Sequence, residues 1–292
     1  MTKTLSRRNM LRGLALGSAA VAAYQAGLIS AQEAVIETLK VKGNIRQSVS
    51  YWCFGSFPLA EFADICKKLG MVGIDLLGSD QWELMLKKDM IVTMGTAGAG
   101  IAKGFNYVEN HDSLVESYEK SIPEAAKMKV PNLICMSGNR AGISDEEGLE
   151  NCVKGLERVV PLAEKHGVTL CLELLNNKDH HDYHADSTPW AAEIVKRVGS
   201  DRLKLLYDIY HMQRMEGELI NTIKKYKDVI GHYHTGGNPG RNEIDDTQEI
   251  YYPAVMKAII ETGFKGFVAH EFVPKRENKL ASLRQAVEIC DQ

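Results

Sequence analysis

A chain of 292 residues, 45% hydrophobic and 25% charged, is long enough for one large core and has the composition of an ordinary soluble globular protein. Its formal net charge of -3 and pI near 6.3 provide no broad basic field. That balance speaks against nucleic acid as a main partner and favours small-molecule chemistry.

The first thirty or so residues stand apart from the rest. Ser6-Arg7-Arg8-Asn9-Met10-Leu11-Arg12 precedes an apolar, small-residue run from Gly13 to Ile29, with no acidic residue before Glu33. A basic head followed by a weakly hydrophobic run predicts a twin-arginine export signal over residues 1–31, with cleavage near Ala31 and a periplasmic or extracellular destination. The run lacks the polar face of an amphipathic helix and is too short and mildly apolar for a retained anchor, so the membrane is met only during export. Five cysteines, Cys66, Cys135, Cys152, Cys171 and Cys290, lie in strand-like or helical apolar settings, and with Cys53 they form no CxxC pair. Free, buried thiols are the expectation.

Beyond the signal, short β-branched runs alternate with amphipathic helical patterns. In chain order the predicted strands are Ile45–Cys53, Val72–Leu77, Met90–Gly95, Asn132–Ser137, Val168–Leu174, Lys204–Asp208, Val229–His234 and Gly266–Phe272. Between them the predicted helices are Pro58–Leu69, Ser79–Lys88, Ser113–Lys129, Asp145–His166, Ser187–Val198, Leu219–Lys227 and Tyr252–Thr262, with Arg276–Cys290 closing the chain. Leu69-Gly70, His166-Gly167 and Thr262-Gly263 each set a glycine between a helix end and a strand, as a C-cap requires. Strand-helix repetition means parallel strands with right-handed crossovers. Eight strands without a Gly-rich nucleotide turn predict a closed (β/α)8 TIM barrel, a single domain over residues 45–292, rather than a doubly wound open sheet. Residues 95–112 read as a long loop shaping the barrel's mouth.

In such a barrel the functional groups lie at the C-terminal ends of strands. Those ends read Cys171-Leu172-Glu173, Tyr207-Asp208, His232-Tyr233-His234 and His270-Glu271. Carboxylates at the top of apolar runs are costly unless their charge is compensated, and a divalent cation would do so. Glu173, Asp208, His234 and Glu271 together are three carboxylates and one imidazole, a set suited to Mn²⁺, Mg²⁺ or Co²⁺. Any one of them alone could cap a helix or pair with a lysine, and it is their coincidence on four consecutive strand ends that points to metal. His211, Asn176, Asn177, Lys178 and Arg241 could bind substrate hydroxyls or a carboxylate, with backbone hydrogen bonding and solvated loop charge as the plain alternatives. His180, His181 and His184 form a further cluster after the fifth strand that could trap a metal or simply face solvent.

The strings Leu172-Glu173-Leu174-Leu175-Asn176, Leu206-Tyr207-Asp208-Ile209-Tyr210-His211-Met212-Gln213 with Met215-Glu216-Gly217, Asn238-Pro239-Gly240-Arg241-Asn242-Glu243 and Glu249-Ile250-Tyr251-Tyr252-Pro253 resemble the hydroxypyruvate isomerase family. That family lies within the xylose-isomerase-like barrel superfamily, which includes the ketose 3-epimerases, and the likeness runs from about Gln47 to Pro274. The resemblance implies that Glu173, Asp208, His234 and Glu271 are metal ligands, that Glu173 and Glu271 are the acid/base pair, and that His211 and Arg241 lie near the substrate. His234 stands where hydroxypyruvate isomerases commonly carry Gln and is similar to the 3-epimerase branch. Asn177-Lys178 replaces an Arg usual in the family.

The expected chemistry is proton transfer on a small sugar or hydroxy-carbonyl compound through an enediolate stabilised by the divalent ion. Reprotonation at the neighbouring carbon isomerises, and reprotonation from the opposite face epimerises. A lyase or hydratase of keto-sugars, an exported sugar-binding protein and a DNA-repair endonuclease remain as alternatives, and a homo-oligomer is possible.

Overall fold

A computed structural model describes residues 36–98 and 100–292. The export signal expected over residues 1–31 lies outside the described residues. Eight parallel strands close in sequence order: β1 (Arg46–Ser50), β2 (Gly73–Leu77), β3 (Ile91–Gly95), β4 (Asn132–Cys135), β5 (Thr169–Glu173), β6 (Leu203–Asp208), β7 (Ile230–Thr235) and β8 (Phe267–His270), with β8 pairing back onto β1. The fold is therefore the expected (β/α)8 barrel, and the open sheet is excluded. Strands β4 and β8 are buried along their whole length, as parallel strands covered on both faces must be.

The main core lies between strands and helices, where Phe54, Phe62, Trp82, Tyr118, Leu149, Ile194 and Leu283 pack. Inside the barrel the apolar filling is a small separate cluster of Met94, Ile134, Cys171 and Leu206. Polar groups fill much of the remaining interior, which prepares the barrel for a buried site. All six cysteines are free and buried.

The helices are α1 (Leu59–Lys68), α2 (Ser79–Lys87), α3 (Val108–Lys127), α4 (Asp145–Glu157), α5 (Val160–His166), α6 (Thr188–Val198), α7 (Ile209–Met215), α8 (Leu219–Lys225), α9 (Tyr252–Glu261) and α10 (Lys279–Cys290). Four departures from the sequence expectation have local causes. The expected helix Asp145–His166 is two helices, because Pro161 sits in the first turn of α5 and has no N–H for the carbonyl of Glu157. Helix α3 starts at Val108, five residues earlier than expected, where His111 is buried and its Nε2 lies 2.8 Å from the Phe105 carbonyl. The first strand stops at Ser50, and Tyr51–Phe54 turn as one 3-10 helix that carries Trp52 to the barrel's mouth. Helix α7 lies where the sequence predicts no helix between Asp208 and Leu219. It is started by Asp208, whose side chain accepts the His211 backbone N–H at 3.1 Å.

One glycine is required by the closeness of β2 and β3. A Cβ on Gly73 would sit 2.2 Å from the backbone oxygen of Ile91, which cannot move without breaking the ladder. Gly73→Ala is expected to cost about 1–3 kcal/mol of stability, read as a fall in thermal midpoint. Gly100→Ala, whose added Cβ meets nothing within 4 Å, should leave the midpoint unchanged; equal midpoints for both variants would show that the two strands can separate.

Candidate active site

Inward-facing residues alternate along each strand, so Cys171 and Glu173, Leu206 and Asp208, and His232 and His234 point to the barrel axis in pairs. Asp208 is level with His234, and His234 with Ala269, two residues before Glu271. Glu271 follows the end of β8 with its N–H still bonded to the Thr235 carbonyl at 2.9 Å. These registers bring Glu173, Asp208, His234 and Glu271 together, each offering one ligand atom within 4.8 Å of all the others. All four are buried.

Four polar groups in so small a buried space interact strongly. Nδ1 of His234 lies 3.4 Å from Glu173 Oε1, 3.9 Å from Asp208 Oδ2 and in contact with Glu271 Oε2, yet its geometry makes no hydrogen bond with any of them. The other ring nitrogen, Nε2, is 2.8 Å from Asp75 Oδ2. In the neutral ring, a proton on Nε2 would leave the Nδ1 lone pair facing three carboxylates, a repulsion relieved either by a second proton on Nδ1 or by a cation standing between them. The donor set of three oxygens and one nitrogen fits a hard or borderline divalent ion. Opposed ligands of such an ion lie about 4 Å apart, so the cluster has the size of one metal site.

Arg241 adds a positive charge to the rim. Its Nη2 is 2.7 Å from Asp208 Oδ2 and 2.6 Å from Glu271 Oε2, and its Nε donates to the Glu271 carbonyl at 3.1 Å. It sits in the loop after β7 at φ +55°, a conformation that non-glycine residues seldom hold without a reason. The half-exposed Trp52 donates from Nε1 to Glu271 Oε1 at 2.5 Å, and the guanidinium lies 5.8 Å from the Trp52 ring and 5.4 Å from the Tyr210 ring.

His211 and Asn176 stand beside this arginine. The Asn176 backbone N–H donates to His211 Nδ1 at 3.0 Å, and its side-chain amide is 2.6 Å from the same atom. The Asn176 oxygen accepts from the backbone of Lys178 and Asp179, so this side chain orients His211. With Nδ1 accepting, the ring proton of His211 is on Nε2, which lies 2.8 Å from Arg241 Nη1. Two donors thus face one another, and an oxygen placed against both would satisfy them. Burial, reinforced by the charge of Arg241, lowers the His211 pKa well below its ordinary value and keeps the ring neutral.

The protein groups alone split the two glutamates. Burial, partly offset by His234 and reinforced by the charges of Glu271 and Asp208, pushes Glu173 up to about 7. Burial would raise Glu271 too, but the charge of Arg241 leads the opposing effects and holds it at about 2. Burial, partly offset by Arg241, also raises Asp208. For His234 burial is outweighed by the charge of Glu271, and its pKa lies well above the usual imidazole range.

The histidines after β5 do not converge. His184 is buried, stacked on Trp190 at 4.4 Å between centroids and 3.2 Å from Asp145; His181 is exposed; His180 lies against His211, 5.3 Å between rings. Three residues at the site were not singled out from sequence. His232 had a signal in its two-residue spacing from His234, and Asp75 in being a lone carboxylate within Ile74-Asp75-Leu76-Leu77. Trp52 had none.

The xylose isomerase-like TIM barrel family matches residues 57–292. Hydroxypyruvate isomerase of Escherichia coli K12 is 37% identical over 142 residues, which is 48% of this chain and 55% of that protein. The 2-oxo-tetronate isomerase of Cupriavidus necator is 32% identical over 113 residues, 39% of this chain and 43% of that protein. The chain therefore spans about half the length of these curated relatives. The crystal structure of the Escherichia coli 3-keto-D-glucoside 4-epimerase YcjR, 16% identical, superposes with a TM-score of 0.72 over 84% of this chain and 98% of that one, a likeness of fold alone.

The pKa of Glu173 has a consequence for stability. The folded carboxyl keeps its proton to about 7, while the unfolded one releases it near 4.5, so the folded state binds more protons in that window and loses stability as pH rises through it. In chelator-treated protein, Glu173→Gln is expected to raise the thermal midpoint above wild type at pH 8. The gap should close as the pH is lowered toward 4.5; a gap that stays constant over that range would show that the buried carboxyl is ionised throughout.

Proposed function

The chain belongs to the xylose isomerase-like TIM barrel family, and on that footing we propose that it is an isomerase of small hydroxy-carbonyl sugars or sugar acids. The observation that carries this reading is the pair of buried glutamates, Glu173 from β5 and Glu271 after β8, flanking one cation-seeking cluster. The isomerase names of the hydroxypyruvate and 2-oxo-tetronate relatives support it.

Glu173, Asp208, His234 and Glu271 would hold a divalent ion, Mn²⁺, Mg²⁺ or Co²⁺. Bound there, the ion would polarise a carbonyl and its neighbouring hydroxyl, making the C–H between them acidic and stabilising the enediolate charge. The chain's own groups do the rest. One glutamate takes the proton from carbon and the other returns a proton to the adjacent carbon, while the hydroxyl proton passes to the former carbonyl oxygen. His211 Nε2 and Arg241 Nη1, two donors 2.8 Å apart, point at the place where a substrate oxygen would accept from both. Asn176 holds His211 in that tautomer, and Trp52 and Tyr210 wall the opening.

Epimerisation is the second reading. It is favoured by the placement of the two carboxylates at the end of β5 and just beyond β8, which would let a proton leave one face of a carbon and return to the other. Both readings require carbon-bound hydrogen to exchange with solvent.

Glu173→Gln and Glu271→Gln are each expected to lower turnover by about 10²- to 10⁴-fold with circular dichroism unchanged. In deuterated water the wild type should place deuterium on carbon in hydroxypyruvate, tartronate semialdehyde or a ketohexose, and both variants should not. Chelation should abolish the exchange and Mn²⁺, Mg²⁺ or Co²⁺ restore it. Tight ligand binding without exchange would instead identify a binding protein, and cleavage of keto-glycosides a lyase.

We also propose export of the mature barrel by the twin-arginine route, which the motif at Arg7-Arg8 supports. Replacing both arginines by lysine should leave the protein in the cytoplasmic fraction; unchanged export would remove the proposal.

A further inference from the structure

Asp75 is a fully buried carboxylate in the middle of an apolar strand. Two imidazoles face it: Oδ2 lies 2.8 Å from His234 Nε2 and Oδ1 3.3 Å from His232 Nε2. The Thr93 hydroxyl bonds to Oδ1 and in turn lies 3.0 Å from the Ser48 hydroxyl. A buried charge in such a place is costly, and nothing in the packing of β2 requires one. The backbone is nevertheless bent to accommodate it. The register between β2 and β3 shifts on both sides of Asp75, and the next residue, Leu76, is held at φ +56°. A bulge of this kind re-aims a side chain, and a bulky residue at positive φ persists only where its surroundings impose it.

We propose that Asp75 is the positioning residue for the ion site, acting through His234. By accepting from Nε2 it fixes the proton on that nitrogen, turns the lone pair of Nδ1 toward Glu173, Asp208 and Glu271, and makes the imidazole a stronger donor to a metal. Thr93 and Ser48 fix the carboxylate in turn. His232, buried with neither ring nitrogen hydrogen-bonded, lies against the same carboxylate. Asp75, His232 and His234 are also close enough to share an ion. Such an ion would take Nε2 of His234, so that filling both sites together would strip the ring of both protons, and the Thr93 hydroxyl already occupies Oδ1. The hydrogen-bond pattern therefore favours the positioning role.

This inference rests on the proposal that His234 takes a divalent ion, and its test separates the two. The full-length protein is chelator-treated, and Mn²⁺ affinity and stoichiometry are measured by calorimetry for wild type, Asp75→Asn and Asp75→Ala, with the visible spectrum of the Co²⁺ forms recorded beside them. Wild type should bind one ion per chain. Asp75→Ala should bind it about 10- to 100-fold more weakly, with an altered Co²⁺ spectrum. Asp75→Asn, whose amide oxygen still accepts from Nε2 but carries no charge, should fall between the two. Should the alanine variant not fold, Asp75→Asn and Thr93→Val carry the test, the latter with a smaller loss. Unchanged affinity and spectrum in folded variants would overturn the positioning role alone. Two ions per wild-type chain, one of them lost in the variants, would make Asp75 a ligand and overturn it as well. Failure of the wild type to bind Mn²⁺ or Co²⁺ at all would remove the metal reading and this inference with it.

Discussion

The structure turns on an excess of buried negative charge. Glu173, Asp208 and Glu271 offer carboxylate oxygens within 4.8 Å of one another, buried beneath the C-terminal mouth of the barrel, and Arg241 sets one guanidinium against them. Two like charges 4 Å apart repel by about 4 kcal/mol at the effective dielectric of a protein interior, so three carboxylates cannot all ionise there unaided. The shifts follow from this constraint: the Glu173 carboxyl keeps its proton to about 7, Glu271 is held ionised by its arginine, and His234 is driven toward its charged form. A divalent cation would answer the same demand, and on the proposed reading a cation held between two glutamates would suit the site to moving protons next to a polarised carbonyl.

Rigidity around that charge comes from strands rather than loops. Three of the four clustered residues end or nearly end a strand, and Glu271 is one residue beyond its strand with its N–H still in the ladder. Asp208 has a double task, since one oxygen caps α7 and the other faces the cluster. The loops are then tied to one another: Asn176 holds His211, Arg241 reaches the Glu271 carbonyl, and the buried Glu243 accepts the backbone N–H groups of Lys275 and Arg276 together with the Ser282 hydroxyl. Each tie crosses from one strand-loop unit to another, so the geometry of the rim is held by the closure of the barrel.

Much of this was legible in the residues themselves. Alternation of β-branched runs with amphipathic segments specifies parallel strands and crossover helices, because side-chain burial repeats every two residues in one and about every 3.6 in the other. Eight repeats and the rule that function gathers at strand ends suffice to bring residues 173, 208, 234 and 271 to attention, since a carboxylate or imidazole ending an apolar run is locally conspicuous. Where the expectation missed, the signal was sometimes present, as with Pro161 dividing α4 from α5. At Val108 it was absent, because the start of α3 depends on His111 meeting the Phe105 carbonyl.

What the sequence by itself determined is the kind of each element and the chemistry available at its end, both of which depend on near neighbours in the chain. Only the tertiary structure decided which of these groups share one space: that Trp52 reaches Glu271, that Arg241 lies between Asp208 and Glu271, and that Asp75 meets His234 from 159 residues away. Periodicity is a local property. Convergence depends on strand register, on a bulge in β2 and on the closure of β8 onto β1, and none of these is written in any one stretch of chain.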